Sequence, residues 1–478
     1  MNVRSLTALR RVSWCALLVL AALSGGSPAR AEDPTEASGD DREAPAPAAN
    51  APSAATYTLS RCLALAAKNY PKVHEARAKL AYKRAQRFQA HTQPFSEFNL
   101  TAGLALAPTV RGTSVYSPDS DVPIKSDMGL AWQVGLDGVV PLWTFGKITN
   151  TWDAADANVK VGENELKKEK NEVLLAVRRA FYGAQLAKDA LVLVREAEAR
   201  IDKYLAPLEE KVADGDSDEI DLIKLQLQRE DLNARESEAR KQQLYALSGL
   251  RFLTGVSGPL EVPDVPLKLL AHRLGPLAHY LSAARVHRPE INMARAGILA
   301  KEAQMRVARA KLFPDFGLGL SARYANAPRV TDQRNPFTID PGHGQSYGAA
   351  LVMRYKLDFL PATARLAQAE AELEEIRATE RYALGGVGVE VEQAFREAVD
   401  AENRLAAYGR SAALAKRWLL QVQQGIDVGT FEDKDIVDPA KEYALRRFAL
   451  MTATFDYNVA IAKLAQATGW DAIAAGAD

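Results

Sequence analysis

Acidic side chains are concentrated in two short stretches of the chain, and each stretch surrounds a glycine. The stretch around Gly215 sets seven acidic residues against Lys211: Glu209, Glu210, Asp214, Asp216, Asp218, Glu219 and Asp221. The stretch around Gly429 sets five against Lys434: Asp427, Glu432, Asp433, Asp435 and Asp438. Carboxylates gathered around one opening attract cations and repel anions. The chemistry predicted here is therefore cation attraction, and the alternative is an ordinary solvated acidic turn.

Catalytic and metal-binding patterns are missing from the sequence. The six histidines are scattered: His74, His91, His272, His279, His287 and His343. No Cys/His metal spacing, glycine-rich phosphate loop or EF-hand spacing occurs, so we expect no enzyme, no cofactor and no metal site. The 60 basic and 60 acidic residues balance, and nothing in the composition indicates nucleic-acid binding.

Two long heptad patterns must position the acidic stretches. From Val173 to Val212 apolar or small residues recur in steps of four and three, interrupted once at Glu198. The same register returns 214 residues later, from Val387 to Ile426. Such a seam is typical of a coiled coil. A helix from about Thr149 to Val212 would be on the order of 100 Å long, at ~1.5 Å per residue.

The chain contains an internal duplication. The 214-residue shift also superposes Gly215 on Gly429 and Thr254-Gly255 on Thr468-Gly469, and upstream a 218-residue shift places Pro71 on Pro289. Each repeat reads as a short helical part, two strands, a long helix and a returning helix. We expect the first repeat at 56–270, the second at 271–470 and a short tail at 471–478.

The segment before the repeats has the pattern of a secretory leader. Arg4, Arg10 and Arg11 precede an apolar run from Trp14 to Leu23, and Ala29-Arg30-Ala31 has the small-x-small form of a cleavage site. Residues 1–31 are therefore predicted to be a signal peptide. Residues 32–55 are rich in Pro, Ala and acid without periodicity, which predicts a disordered linker.

Local signals indicate where the helices begin. Thr58 is predicted to cap an amphipathic helix that runs past Pro71 to about Ala90, with Cys62 as a small core residue.

The spacing of Asp216 with Glu219, and of Thr430 with Asp433, predicts capping boxes for the two returning helices. Pro207 and Pro439 are expected to kink the helices near these turns.

Four segments of about ten residues alternate apolar with polar or small residues: Phe98–Leu106, Met128–Leu136, Phe316–Tyr324 and Tyr347–Tyr355. Strands of this length cross a bilayer when tilted, and the alternation is typical of membrane β-barrels. Two hairpins on a soluble helical core are the alternative. Four strands cannot close a barrel, and open edges are not tolerated in lipid, so a membrane barrel must be shared between subunits.

The chain resembles the TolC family of outer-membrane efflux proteins from Thr58 to Gly469. Five groups of residues carry the resemblance: Thr58-Leu59-Ser60 with Tyr70-Pro71, Pro141 to Lys147, Ala180-Phe181-Tyr182, Phe252 to Gly255, and Ala310 to Pro314. The resemblance implies a mainly α fold with a membrane β-barrel part. In a homotrimer, four strands per chain would form a shared twelve-stranded barrel, and the long coiled-coil helical hairpins would form a periplasmic α-barrel.

The resemblance also implies the site residues. The channel aperture falls on Asp435 and Asp438, with a solvated turn as the alternative. The tips that contact an adaptor fall on six residues: Gly215, Asp216, Ser217, Val428, Gly429 and Thr430. Phe431 stands where the best-known family member has a basic residue that latches the closed aperture.

The implied function is that of a passive exit duct in the cell outer membrane, with a large periplasmic part. Its partners would be two further copies of the chain, a periplasmic adaptor (membrane fusion) protein, an inner-membrane pump and outer-membrane lipid. Efflux of drugs or metals and type I protein secretion share this architecture. A secreted or periplasmic coiled-coil scaffold or adhesion protein without a pore is the alternative from another class.

Overall fold

The computed structural model describes residues 55–95, 97–108, 128–215, 218–328, 330 and 342–471. Within these residues the elements follow in this order: β1 (Ala55–Thr56), α1 (Leu59–Asn69), α2 (Pro71–Thr92), β2 (Phe98–Pro108), β3 (Met128–Trp143), α3 (Lys147–Ala213), α4 (Glu219–Thr254), β4 (Leu260–Glu261), α5 (Leu277–His287), α6 (Pro289–Ala310), β5 (Asp315–Asn326), β6 (Gly344–Arg354), α7 (Phe359–Asp427) and α8 (Val437–Thr468). The predicted leader 1–31, nearly all of the predicted linker 32–55 and all but one residue of the tail 471–478 lie outside the described residues.

The first predicted helix is in fact two helices. Thr58 caps α1 as predicted, because its hydroxyl accepts a hydrogen bond from the Arg61 backbone N–H. The helix ends at Asn69, since Tyr70 takes an extended conformation with ψ of 130° and α2 begins at Pro71. The prediction of one helix running past Pro71 was wrong. A residue before proline is driven out of the helical region by the proline ring, and proline itself suits the first helical position.

The two heptad patterns form single helices of 67 residues in α3 and 69 residues in α7. Their small seam residues are buried as predicted: Ala184 and Ala398 are both fully buried. Pro207 lies inside α3. Pro439 lies in the first turn of α8, where a missing backbone N–H costs no hydrogen bond, so the expectation that it interrupts a helix was wrong.

Each long helix turns back through a glycine in the left-handed region. Gly215 follows α3 and Gly429 follows α7, both with φ of 80°. α4 then returns along α3, and α8 returns along α7. α3 also packs against α8 and α6, so the two repeats are joined along this helix. The helices lie in the order α2, α3, α6, α7 beside the sheet and α4, α3, α8, α7 towards the turns.

The four predicted strands form one antiparallel sheet in the order β2-β3-β5-β6. The apolar members of each alternating pattern share one face and remain exposed in the single chain, as for Leu104 and Leu351. Gly138 is in register with Phe98 on this face, and the Phe98 ring occupies the space that a Cβ at residue 138 would fill. None of the described helices combines the length and apolarity needed to cross a membrane.

Candidate functional site

The first turn, residues 212–218, is acidic. The α4 helix is capped by Asp218, whose carboxylate accepts a hydrogen bond from the Ile220 backbone N–H at 2.9 Å. The predicted capping box of Asp216 with Glu219 was wrong, because Glu219 is the first residue of α4 and Asp218 is its cap. Asp216 and Ser217, both predicted to contact an adaptor, lie outside the described residues. Gly215 is exposed at the end of the hairpin, in keeping with a tip position.

The second turn, residues 427–432, has the apolar Val428 and Phe431 at positions where the first turn has Asp214 and Ser217. Val428, Gly429 and Thr430 are exposed at its end, and Val428 is 78% exposed. The backbone N–H of Thr430 donates to the Gly425 carbonyl at 2.7 Å, which closes the turn. The Phe431 ring lies so close to Gly425 that a Cβ there would be 2.2 Å from a ring carbon. Phe431 therefore packs one side of its ring on the end of α7 while 47% of the residue stays exposed.

The two predicted aperture residues lie where the chain returns from the second turn into α8. Asp435 lies in a short 3-10 turn, and Asp438 lies in the first turn of α8; both are exposed. The carboxylate of Asp435 accepts a hydrogen bond from the Glu432 backbone N–H at 2.9 Å. The capping box is thus made by Glu432 and Asp435, and the predicted box at Thr430 and Asp433 was wrong. Spacing alone could not choose between two acceptors two residues apart.

Charges of the two turns influence one another. Lys434 pairs with Glu432 at 2.7 Å, and this bond raises the pKa of Lys434, with smaller contributions from Asp221 and Asp435. Asp221 belongs to the first repeat, where a hydrogen bond from Lys224 lowers its pKa, and Lys434 lowers it further. The acidic residues of both turns therefore lie at the same end of the molecule, with Lys434 among them.

The strand–helix junctions bring two of the quoted sequence motifs together. Phe145, at φ of 50°, and Gly146, at φ of 86°, turn the chain from β3 into α3. The Nζ of Lys147 then donates to the Phe313 carbonyl at 2.9 Å and pairs with Asp315 at 2.8 Å. The rings of Phe145 and Phe313 stack at 5.1 Å. These contacts fix the sheet to the helices, so the motifs are structural.

The polar face of the sheet carries functional candidates that sequence reasoning missed. Arg323 of β5 is exposed on this face and donates to the Gln133 side chain of β3 at 2.5 Å. The alternation through β5 predicted its apolar residues, and the same alternation assigns Arg323 to the opposite face. Its position opposite Gly135 could only be read from the strand register.

No group of three or more His, Cys, Asp or Glu that could hold a metal ion occurs within the part of the chain that the structure describes. Cys62 is fully buried, as predicted, and burial raises the pKa of its thiol to about 11. A thiol with so high a pKa is protonated and unreactive at neutral pH.

The fold and the exposed apolar sheet define a membrane channel protein. The sequence profile of the outer membrane efflux protein family matches residues 62–256 and 280–470. The chain belongs to this family, and it is an outer-membrane channel protein with a large periplasmic helical part rather than an enzyme. The predicted family, fold class and location are thereby confirmed.

Individual relatives are more distant. The chain is 29% identical to Protein CyaE of Bordetella pertussis over 250 residues, 52% of this chain and 50% of that protein. It is 22% identical to the alkaline protease secretion protein AprF of Pseudomonas aeruginosa over 320 residues, 64% and 63% of the two chains. It thus spans less than two thirds of both curated relatives. The fold matches a crystal structure of CusC with a TM-score of 0.69 at 17% identity, over 86% of this chain and 92% of that one.

Proposed function

We propose that three copies of this chain form one tube, which carries substrates from the periplasm across the outer membrane without a catalytic step. The observation that carries the proposal is that the sheet and the helical layer of the single chain are both incomplete at the same two edges. A layer with two open, apolar edges is complementary to further copies of itself.

The sheet supports closure by three copies. Strands β2 and β6 are its edges, so each has a row of backbone N–H and C=O groups without a strand partner within the described sheet. In lipid such groups must be paired. Two copies would give eight strands, about the number whose interior is filled by side chains, whereas twelve strands leave an aqueous lumen. The polar face here includes Gly103, Gly135 and Gly348, which would leave this lumen open.

The helices support the same closure. α2 and α4, at the β2 edge, expose large apolar side chains such as Phe88 and Leu227. α7, at the β6 edge, does likewise: Leu414 is 66% exposed, whereas the first repeat has Arg200 at the equivalent position of α3. Within the described chain α3 has neighbours on both flanks, whereas α7 has them on one flank only, so the open apolar flank of α7 is suited to the α2/α4 edge of the next copy.

The acidic end would be the periplasmic entrance. We propose that Asp435 and Asp438 line its aperture and that six residues meet a periplasmic adaptor, which is itself joined to an inner-membrane pump: Gly215, Asp216, Ser217, Val428, Gly429 and Thr430. Repetition of both turns by three-fold symmetry would surround the opening with carboxylates. We expect from this charge a pore that prefers cations, and we expect its conductance to be low when the pore is closed.

The cargo is proposed from the relatives. AprF is named for the secretion of an alkaline protease, and this supports a place for the present chain in a type I secretion or tripartite efflux system.

We also propose that residues 1–31 direct export and are removed, that 32–55 form a linker, and that the repeats divide near residue 270. Capture of the adaptor by the purified chain is the direct test of the partner.

Assembly tests the duct. We expect a trimer by light scattering in mild detergent, and we expect the protein to stay with outer membranes until detergent is added. Leu414→Glu should abolish the trimer but leave helix content unchanged, because it places a charge on the proposed contact. Arg200→Gln changes net charge equally at the equivalent position of α3 and should leave the trimer intact. A wild-type monomer, or release by salt alone, would support the scaffold alternative.

The aperture is tested by planar-bilayer recording. The double variant Asp435→Asn, Asp438→Asn removes both charges but keeps an acceptor for the Glu432 N–H. We expect wild type to prefer cations and to be blocked by multivalent cations from the turn side only. Block that is unchanged in the double variant would make the two aspartates a solvated turn and place the aperture elsewhere.

A further inference from the structure

The polar face of the sheet carries the cationic side chain of Arg323 in the middle of a row of small residues, whereas Arg354 on the same face lies at the other end of the sheet, opposite Asp315. Four residues share this row across the strands: Thr101, Gly135, Arg323 and Ser346. The three others are too short to cover a guanidinium. In a closed barrel whose apolar face meets lipid, this row faces the lumen. Arg323 is therefore the side chain that projects furthest from its row into the lumen.

Hydrogen bonding fixes the direction of this arginine. Its Nη2 donates to Oε1 of Gln133 at 2.5 Å, and Gln133 lies one row nearer the end of the sheet from which segments 109–127 and 329–341 leave. The nearest carboxylate on the same face, that of Asp137, lies one row in the opposite direction, in register with Ser321. The bond to Gln133 draws the guanidinium away from Asp137. A neutral amide orients the group without neutralising its charge.

We propose that Arg323 forms a ring of three guanidinium groups in the outer part of the pore, and that this ring binds multivalent anions and the anionic groups of passing substrates. The proposal rests on the trimeric duct proposed above. A guanidinium has a planar fork of donors that matches carboxylate and phosphate oxygens. The ring would select for anions at the outer end.

The charge of this ring is opposite to that of the periplasmic end. α3 separates Arg323 from Asp435 and Asp438 by a length on the order of 100 Å. The Debye length is about 8 Å at physiological salt, so the two charged regions act independently. A pore with carboxylates at the entrance and guanidinium groups near the exit has two separable binding steps, and each can be tested by ions of one sign applied from one side.

The experiment uses the purified full chain in planar bilayers, with inorganic pyrophosphate as the probe on either side, in about 0.1 M KCl. We expect pyrophosphate to block wild type from the side opposite to that at which multivalent cations act. Arg323→Gln should weaken this block about tenfold or more, since several ion pairs of ~1 kcal/mol each are lost. Arg323→Lys should retain part of the block. Asp137→Asn, a charge change on the same face, should preserve or strengthen it.

Salt provides a second test that needs no variant. At 1 M KCl the Debye length falls to about 3 Å, so the wild-type block should be largely lost. Equal block in wild type and Arg323→Gln, or no block of wild type at low salt, would overturn the ring. Should Arg323→Gln fail to assemble, full block in Arg323→Lys that is insensitive to salt would overturn it. Absence of any pore or trimer would instead overturn the duct.

Discussion

The two repeats build the same junction from different side chains. In both, a short helix ends before a proline, Pro71 or Pro289. The returning helix, α4 or α8, ends before a glycine with φ of 69°, Gly255 or Gly469. The residues before the prolines are extended in both cases. The backbone of the junction is thus the same after duplication, because each repeat must bring the end of its returning helix against its two short helices.

The first repeat closes this junction with aromatic and amide groups. Tyr70 meets Phe252 edge to face at 5.8 Å. The side-chain amide of Asn69 donates to the Thr254 carbonyl at 3.0 Å. This carbonyl is at the end of α4, where helix carbonyls lack partners within the helix.

The second repeat closes the junction with charge. Arg288, equivalent to Tyr70, is nearly buried and donates to the Ala467 carbonyl at 2.6 Å. It also pairs with Glu390 at 2.5 Å and with Glu290 at 3.2 Å. A free carbonyl near the helix end is satisfied in both repeats, once by an amide and once by a guanidinium. The fold therefore requires a donor at this place, and the chemistry of the donor can change.

The largest expected effect tests whether the two long helices, α3 and α7, are packed equivalently. Ala184→Glu and Ala398→Glu place a carboxylate at fully buried seam positions, and each should cost several kcal/mol of unfolding free energy. The measurement is thermal unfolding by circular dichroism, together with the yield of assembled protein. Val192→Glu, on an exposed face of α3, is the control and should be close to wild type. Wild-type stability of either seam variant would show that the seam of the helix carrying the substitution is not buried.

The next effect separates the two helix-ending glycines. A Cβ at Gly469 would lie 2.7 Å from backbone atoms of Arg288 and His287, whereas at Gly255 it would lie 3.0 Å from the Asn69 side chain. Left-handed alanine costs about 1–2 kcal/mol in either place, and overpacking against backbone adds about 1–3 kcal/mol. We expect Gly469→Ala to lose about 3 kcal/mol and Gly255→Ala about 1–2 kcal/mol in unfolding free energy.

Denaturant unfolding measures both variants. Gly258→Ala is the matched control, since nothing lies within 4 Å of its Cβ, and it should be near neutral. A larger loss at Gly255 than at Gly469 would contradict the closer backbone approach in the second repeat.

A smaller effect compares the two closures. Arg288→Met keeps an unbranched side chain of similar length but leaves the Ala467 carbonyl without its charged donor. We expect a loss of about 1–3 kcal/mol in unfolding free energy. Tyr70→Leu loses an edge-to-face contact worth about 0.5–1.5 kcal/mol. The same denaturant measurement ranks them. If Tyr70→Leu were the more damaging, the aromatic closure would be the stronger one, and the charged closure would contribute little.

Sequence alone predicted the parts of this molecule that repeat with a fixed period. The heptad seam predicted both long helices, and the two-residue alternation predicted all four strands. Both patterns are visible in the sequence because the residues that are buried, or that share one face, recur at every helical turn or at every second position of a strand. The break at Tyr70 was missed because the apolar pattern continues through it, although Pro71 carried the signal. The cap at Glu432 and the direction of Arg323 depend on which donor and acceptor meet in space, and spacing along the chain does not specify this.

The last and smallest effect concerns Asp189 of α3, which fastens the segment between the repeats: its Oδ2 accepts a hydrogen bond from the Leu267 N–H at 2.8 Å. Burial raises the pKa of Asp189 above 3.8, and this outweighs the lowering of the pKa by the Leu267 hydrogen bond and by Arg447 and Lys188. The second repeat has Asn403 at the equivalent position.

Because its folded-state pKa is raised, Asp189 favours the folded state most when protonated, and this contribution is lost as pH rises from 3.8 through the raised pKa. Asp189→Asn retains the acceptor without the charge. It should be more stable than wild type at pH 7 by less than about 1 kcal/mol, since the site is partly solvated. The difference should vanish at pH values below 3.8, where the wild-type carboxyl is neutral. Melting temperatures of both proteins at the two pH values measure this. An asparagine variant less stable at pH 7 would show that the Leu267 hydrogen bond to the carboxylate and the attraction to Arg447 and Lys188 together outweigh burial. The first repeat would then gain from the charge that the second repeat lacks.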